Sequence, residues 1–180
     1  SDFDETARQV TEQLQPLSDA DIRLVGPDSS TALIFRDEYR KACNGELPPV
    51  NVSTVIEWLM SVGFESHDQK RASHYGLLLH CTEHSFVPES AKQWQTLFAK
   101  LGLTLDIVNV GCCGMAGTFG HEVKNLDDSM GLYHMGWHDA VQRYGSSGVL
   151  VTGFSCRSQV KRVEKKRVKH PLEVILQSLV

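Results

Sequence analysis

Short apolar runs at 21–26, 74–80, 103–110 and 148–152 alternate along this chain with longer stretches of helical character. Strands separated by helices lie parallel in a sheet and are joined by right-handed crossovers. The expectation is an α/β fold: a doubly wound, mostly parallel four-stranded sheet with helices on both faces. The intervening stretches fit that reading. Ala7, Val10 and Leu14 share one face of a helix over 4–14. Asp28 or a following serine caps a helix to Ala42, and Asn51 or Ser53 starts one over 52–62. Pro88 opens a helix that Gly102 closes. A long helix is expected over 121–144, with Gly131 and Gly136 as weak points, and two more start near Ser155 and Pro171. Loops are expected at 45–49 and 65–73.

In such a sheet every strand ends on the same edge, which is where open α/β folds place their ligands. Cys81 follows the second of these strands, Cys112 and Cys113 the third, and Cys156 the fourth. Four of the five cysteines therefore gather on one edge, while Cys43 ends a helix elsewhere. Residues 111–117 read Gly-Cys-Cys-Gly-Met-Ala-Gly. Adjacent thiols between glycines are poorly explained by packing, because cysteine is kept for reactivity or metal binding more than for volume. Thiolate sulfur is the ligand of iron–sulfur clusters and of zinc. From the residues alone, three readings stand: a metal or cluster site, a redox-active disulfide, or small buried residues at strand ends.

The odd cysteine count and the absence of a leader pattern at the start argue for a reducing compartment. His80, His84 and His121 adjoin the cysteine loops and offer imidazole ligands or proton relays. His134 and His138 are spaced i, i+4 but lack the glutamate of an H-E-x-x-H protease site, so packing or solvent exposure suits them.

Other functions are disfavoured. A net charge of −4 gives no support for nucleic-acid binding. Lys161, Arg162, Lys165, Lys166, Arg167 and Lys169 read as a solvated basic face without interleaved aromatics. The glycines at 111, 114 and 117 do not match the dinucleotide pattern G-x-G-x-x-G. No apolar run is long enough to span a bilayer. The expected organisation is one domain over 1–180, with an N-terminal part over 1–70 and a cysteine-bearing core over 71–180. Its start at Ser1 suggests a piece of a larger polypeptide.

Three motifs carry a resemblance to a known family: His80-Cys81, the run Gly111 to Gly117, and Thr152-Gly153-Phe154-Ser155-Cys156. They resemble the cysteine-rich CCG domain found in heterodisulfide reductase and in the iron–sulfur component of glycolate oxidase. Thr118-Phe119-Gly120-His121-Glu122, Ser155-Cys156-Arg157-Ser158-Gln159 and His170-Pro171-Leu172 are more specific. They look like the C-terminal segment of large FAD-linked oxidases, fusions of the D-2-hydroxyglutarate or D-lactate dehydrogenase type. Phe35-Arg36-Asp37-Glu38-Tyr39 resembles the stretch that links two CCG repeats.

The resemblance implies a sulfur-ligated centre on Cys81, Cys112, Cys113 and Cys156, holding an iron–sulfur cluster of the 4Fe–4S type or zinc. His80, Gly114, Gly117, His121, Glu122 and Arg157 would surround it. FAD would sit in the parent enzyme, outside this stretch. The implied partners are flavin and ferredoxin-like domains of the same polypeptide and an electron acceptor. The implied setting is cytoplasmic, peripheral to the inner membrane through the parent enzyme. Two positions depart from the pattern: Gly153 stands where many relatives carry a further cysteine, and Ser29-Ser30-Thr31 stand where another precedes the R-D-E-Y stretch. The implied role is an electron-transfer module of an FAD-linked 2-hydroxyacid dehydrogenase, not catalytic alone. A structural zinc or metal-free docking domain and a thiol-based oxidoreductase are the alternatives.

Overall fold

The computed structural model describes residues 1–43, 50–63 and 73–178, and the chain forms two units, Ser1–Val62 and Gly63–Val180. The loop expected at 45–49 and most of the connector expected at 65–73 lie outside the described residues.

In the first unit, helix α1 (Asp2–Asp19) starts from a reciprocal capping box between Ser1 and Asp4, with acidic side chains in its first turn. Strand β1 (Leu24–Gly26) leads into α2 (Ser29–Ile34), where the Asp28 side chain accepts from the Ser30 N–H at 3.1 Å. Helix α3 (Glu38–Ala42), strand β2 (Val52–Thr54) and helix α4 (Val55–Val62) follow. β1 and β2 pair in parallel, with Leu24 opposite Val52. The stretch over 52–62 thus differs from the expected helix. Its first three residues include β-branched Val52 and Thr54, both buried, which suit a pleated and half-buried surface. The helix expected to run through Ala42 is broken into α2 and α3. Ala32, Val50 and Val52 form the core here, and Cys43 is buried, its thiol donating to Thr11 Oγ1 at 3.9 Å.

Arg36 of the R-D-E-Y stretch closes this unit with a two-pronged ion pair to Glu57, one arm at 3.0 Å, and also donates to the Val52 carbonyl at 3.2 Å. Burial pushes the Glu57 carboxyl up, but the Arg36 guanidinium and the Thr54 donors outweigh it and hold it below its ordinary 4.5. A depressed folded pKa contributes stability above the ordinary value, and that stability is lost as pH falls through the folded value. Glu57→Gln is therefore expected to flatten the acid limb of the urea-midpoint profile below pH 4.5. An acid limb as steep as wild type would show that the pair contributes nothing.

The second unit carries the remaining strands: β3 (His74–Leu78), β4 (Thr104–Ile107) and β5 (Val149–Val151). All pair in parallel in the order β4-β3-β5, with Leu77 opposite Ile107 and Leu78 opposite Val151. The first strand in sequence lies in the middle, and the chain moves to one side of it and then to the other. Right-handed crossovers then place the two connections on opposite faces, which is double winding. Helices α5 (Cys81–Phe86) and α6 (Ser90–Lys100) form one connection. Helices α7 (Leu126–His134) and α8 (Trp137–Gly148) form the other, and α9 (Phe154–Glu164) and α10 (Pro171–Ser178) end the unit. The α/β class stands, but its strands are short and fall into a two-stranded and a three-stranded sheet.

The helix expected over 121–144 begins instead with 3-10 turns at Phe119–His121 and Val123–Asn125, and it breaks at Gly136, the N-cap of α8. α5 was not expected: its sequence, Cys-Thr-Glu-His-Ser-Phe, has little apolar periodicity, and the His80 side chain caps it. Gly76 lets α8 lie against β3, since a Cβ there would fall 2.6 Å from the Tyr144 ring. Leu78, Tyr133, Trp137, Val149, Val151 and Val160 form a core that also takes in Cys113 and Cys156. Among the described residues, no helix is long and apolar enough to cross a membrane.

Candidate metal centre

Two hydrogen bonds sew the ends of β3 and β5 together. The His80 N–H donates to Thr152 Oγ1 at 2.9 Å, and the Thr152 N–H donates to the Leu78 carbonyl at 3.3 Å. This places Cys81, the first residue of α5, on the same edge as Cys156 in the first turn of α9. The N-terminus of α9 directs its backbone N–H groups toward this edge and favours negative charge there.

Cys112 and Cys113 arrive from the loop after β4, which three helices pin down. Trp137 Nε1 donates to the Gly111 carbonyl at 2.9 Å, and the Ser129 hydroxyl donates to the Gly114 carbonyl at 2.7 Å. Arg162 donates to the Gly120 carbonyl at 2.5 Å and to Ser129 Oγ at 2.8 Å, which takes it off the solvated basic face expected from sequence. Gly114 adopts φ +89°, and a Cβ there would overlap the Ser129 carbonyl oxygen. Gly114→Ala is expected to destabilise the fold by about 1–3 kcal/mol through the backbone alone, read as a lowered urea midpoint. An unchanged midpoint would mean that this loop carries no such constraint.

The four thiols are free and unequally covered. Cys113 and Cys156 are 5% and 2% exposed, Cys112 is half-buried and Cys81 is exposed. The Cys156 thiol donates a hydrogen bond to Cys113, and with the Met115 N–H it brings Cys113 down to about 7 against the opposing effect of burial. The same bond, burial, and the negative charge of Cys113 and Cys81 hold Cys156 well above its ordinary value. Burial pushes the Cys112 thiol up, as does repulsion from Cys113 and Cys81, while the Gly114 N–H at 3.3 Å opposes them. Cys112 and Cys156, from two strand ends, therefore each feel the charge of Cys113 and of Cys81. Several thiolates this close cannot all ionise unless a cation takes the place of their protons. The donor set suits a thiophilic metal or an iron–sulfur core. Among the described residues, no group of three or more His, Cys, Asp or Glu side chains stands in a metal-holding arrangement.

The residues expected around the centre have distinct places. The His80 ring is buried and accepts from the Thr82 N–H through Nδ1 at 3.2 Å. Position 153 has no room for a side chain: a Cβ would run into the His80 ring and lie 3.0 Å from Cys156 Sγ. The imidazole thus fills the space beside the Gly153 backbone. Arg157 donates to the Val151 and Thr152 carbonyls at 2.9 and 2.7 Å, fixing the end of β5. Glu122 accepts from Thr118 and Asn125 and pairs with Lys124 at 3.0 Å, while His121 and Gly117 lie on the exposed part of the loop. His84 lines an open cavity of about 490 Å³, with Cys81 and Cys112 on its wall beside Leu79, Ile107 and Val110.

Three side chains that hold the site escaped sequence reasoning. Ser155, next to Cys156, sets its Oγ 3.5 Å from His80 Nε2. Trp137 stacks on Tyr133 at 6.5 Å while holding Gly111. Glu164, at the end of α9, joins Tyr133, His138 and Gln142 at 3.1, 2.8 and 2.9 Å. His138 is thus a packing partner, and His134 is exposed. The adjacency of Ser155 to Cys156 was visible in sequence; the pairings across helices carried no local signal.

The chain is 42% identical over 177 residues to D-2-hydroxyglutarate dehydrogenase of Escherichia coli K12 and 42% identical over 175 residues to that of Pseudomonas putida. Each match covers 97% of this chain and 17% of the relative, so the chain spans about a sixth of the length of these relatives. It is also 22% identical over 165 residues to one component of the anaerobic glycerol-3-phosphate dehydrogenase of E. coli K12, covering 88% of this chain and 41% of that component. No family model matches the chain. No solved structure matches it.

Proposed function

We propose that this chain is an electron-transfer module of an FAD-linked dehydrogenase acting on a 2-hydroxyacid, and that Cys81, Cys112, Cys113 and Cys156 hold an iron–sulfur cluster of the 4Fe–4S type. One observation carries the reading: thiols from three separate strand ends gather so closely that the charges of Cys113 and Cys81 push both the Cys112 and the Cys156 thiol up, and Cys113 and Cys156 are buried. Similarity to the D-2-hydroxyglutarate dehydrogenases over nearly the whole chain supports it. A bound cluster supplies one-electron storage between a flavin and an acceptor.

The protein's part is positioning and charge. The N-terminus of α9 and the Gly114 N–H offset negative sulfur, and the buried pair Cys113 and Cys156 excludes water from the inner side. The outer side, with Cys81 and the cavity beside it, faces the flavin and ferredoxin-like domains of the parent polypeptide or the acceptor. Those domains, FAD and a cytoplasmic position near the inner membrane belong to the proposal.

Anaerobic incubation with iron and sulfide is expected to give visible sulfur-to-iron charge-transfer absorbance with equal iron and sulfide content. Uptake of one zinc with no iron would instead make this a structural docking domain. Thiol catalysis is the weaker reading, because Cys113, the thiol brought down to about 7, is buried.

A further inference from the structure

His134 and His138 take no part in the cysteine centre. They stand on either side of the break between α7 and α8 at Gly136, yet their ring centres lie only 5.2 Å apart, with the ring planes tilted by 51°. His134 is exposed in the last turn of α7, and the His138 side chain is 40% exposed. His138 Nδ1 lies 2.8 Å from Glu164 Oε1. That carboxylate also accepts from the Tyr133 hydroxyl and the Gln142 amide. A carboxylate can only accept, so the proton of the neutral His138 ring is assigned to Nδ1, and Nε2 keeps its lone pair. Two imidazoles on one tetrahedral zinc, at about 2.1 Å per bond, hold their ring centres roughly 5 Å apart. The two rings already stand at that separation.

We propose that His134 and His138 form a second metal site, for zinc or another divalent transition metal that prefers nitrogen, with Glu164 orienting the His138 ring. Metal-bound histidines commonly give their other ring N–H to a carboxylate, which fixes the tautomer and makes the ligating nitrogen more basic. The two imidazoles are the protein's ligands, and solvent completes the coordination. An ion held there joins α7 to α8 and, through Glu164, to α9. These are the three helices that pin the cysteine loop, by Ser129, Trp137 and Arg162. The site shares no residue with the cluster proposed above and does not rest on it.

Equilibrium dialysis of the reduced full chain against zinc counts the metal that each variant holds. Wild type is expected to bind one more zinc per chain than His134→Asn or His138→Asn, with any zinc on the cysteines common to all three. His74→Asn, changed at an exposed histidine elsewhere, is expected to match wild type. Glu164→Gln is expected to weaken the extra zinc by about 10–100-fold. His134 is exposed, so His134→Asn should fold as wild type does, and zinc should raise the urea midpoint of wild type further than that of this variant. Equal zinc in wild type and the His134 and His138 variants overturns the inference, as does the same loss in His74→Asn. Undiminished affinity in Glu164→Gln overturns the role given to Glu164.

Discussion

Cys113→Ser and Cys156→Ser are each expected to abolish iron and sulfide uptake on anaerobic reconstitution, while Cys43→Ser takes up as much as wild type. This is the largest effect expected from any single change. Serine is nearly the size of cysteine, but its hydroxyl does not give up a proton as a thiol does, and it is a poor ligand for iron. The loss should exceed the roughly 10–100-fold that follows when an outer partner of a ligand is removed. Cys43 is the control for non-specific damage: it is buried in the other unit with its thiol on Thr11. Iron and sulfide analysis checks the result. Normal uptake by Cys113→Ser or Cys156→Ser would remove these sulfurs from the centre. Loss in Cys43→Ser as well would trace the effect to the fold.

Trp137→Ala is expected to destabilise the second unit by about 3–5 kcal/mol, the range for truncating a buried aromatic. The indole is 1% exposed, stacks on Tyr133, and holds the Gly111 carbonyl at 2.9 Å. Trp137→Phe separates these contributions. It keeps most of the packing but leaves the carbonyl without its donor, which should cost about 1–3 kcal/mol. Urea unfolding gives both values. Alkylation of Cys112, which follows Gly111 directly, should speed up in the phenylalanine variant because the loop has lost its anchor. If Trp137→Phe matches wild type in both stability and labelling, the indole N–H does not secure the cysteine loop.

The edge that gathers the cysteines was legible in the sequence because it depends on a few robust features. Runs such as 74–80 and 148–152 are apolar enough to mark buried parallel strands, and double winding fixes where their ends lie. Boundaries were harder where two signals overlap. Val52, Ser53 and Thr54 follow a good helix cap, yet pairing with β1 draws them into a strand before α4 begins. Gly136 was visible as a weak point, but whether a glycine interrupts a helix depends on what packs beside it. Here two helices replace one, and Tyr133 and Trp137 can both turn inward. His80 shows the limit most plainly. In sequence it was one histidine beside a cysteine, and only the approach of Gly153 from β5 gives its ring a fixed neighbour.

The unequal cover of the four sulfurs has a consequence for ageing. Cysteine oxidation follows thiolate character and exposure, climbing from sulfenic to sulfinic and sulfonic acids. A peroxide arriving from solvent meets Cys81 first, then Cys112, and reaches Cys113 and Cys156 only when the core opens. Damage is thereby sorted in time. The outermost sulfur acts as a sacrificial corner, and the inner pair outlasts it for as long as the surrounding core stays closed.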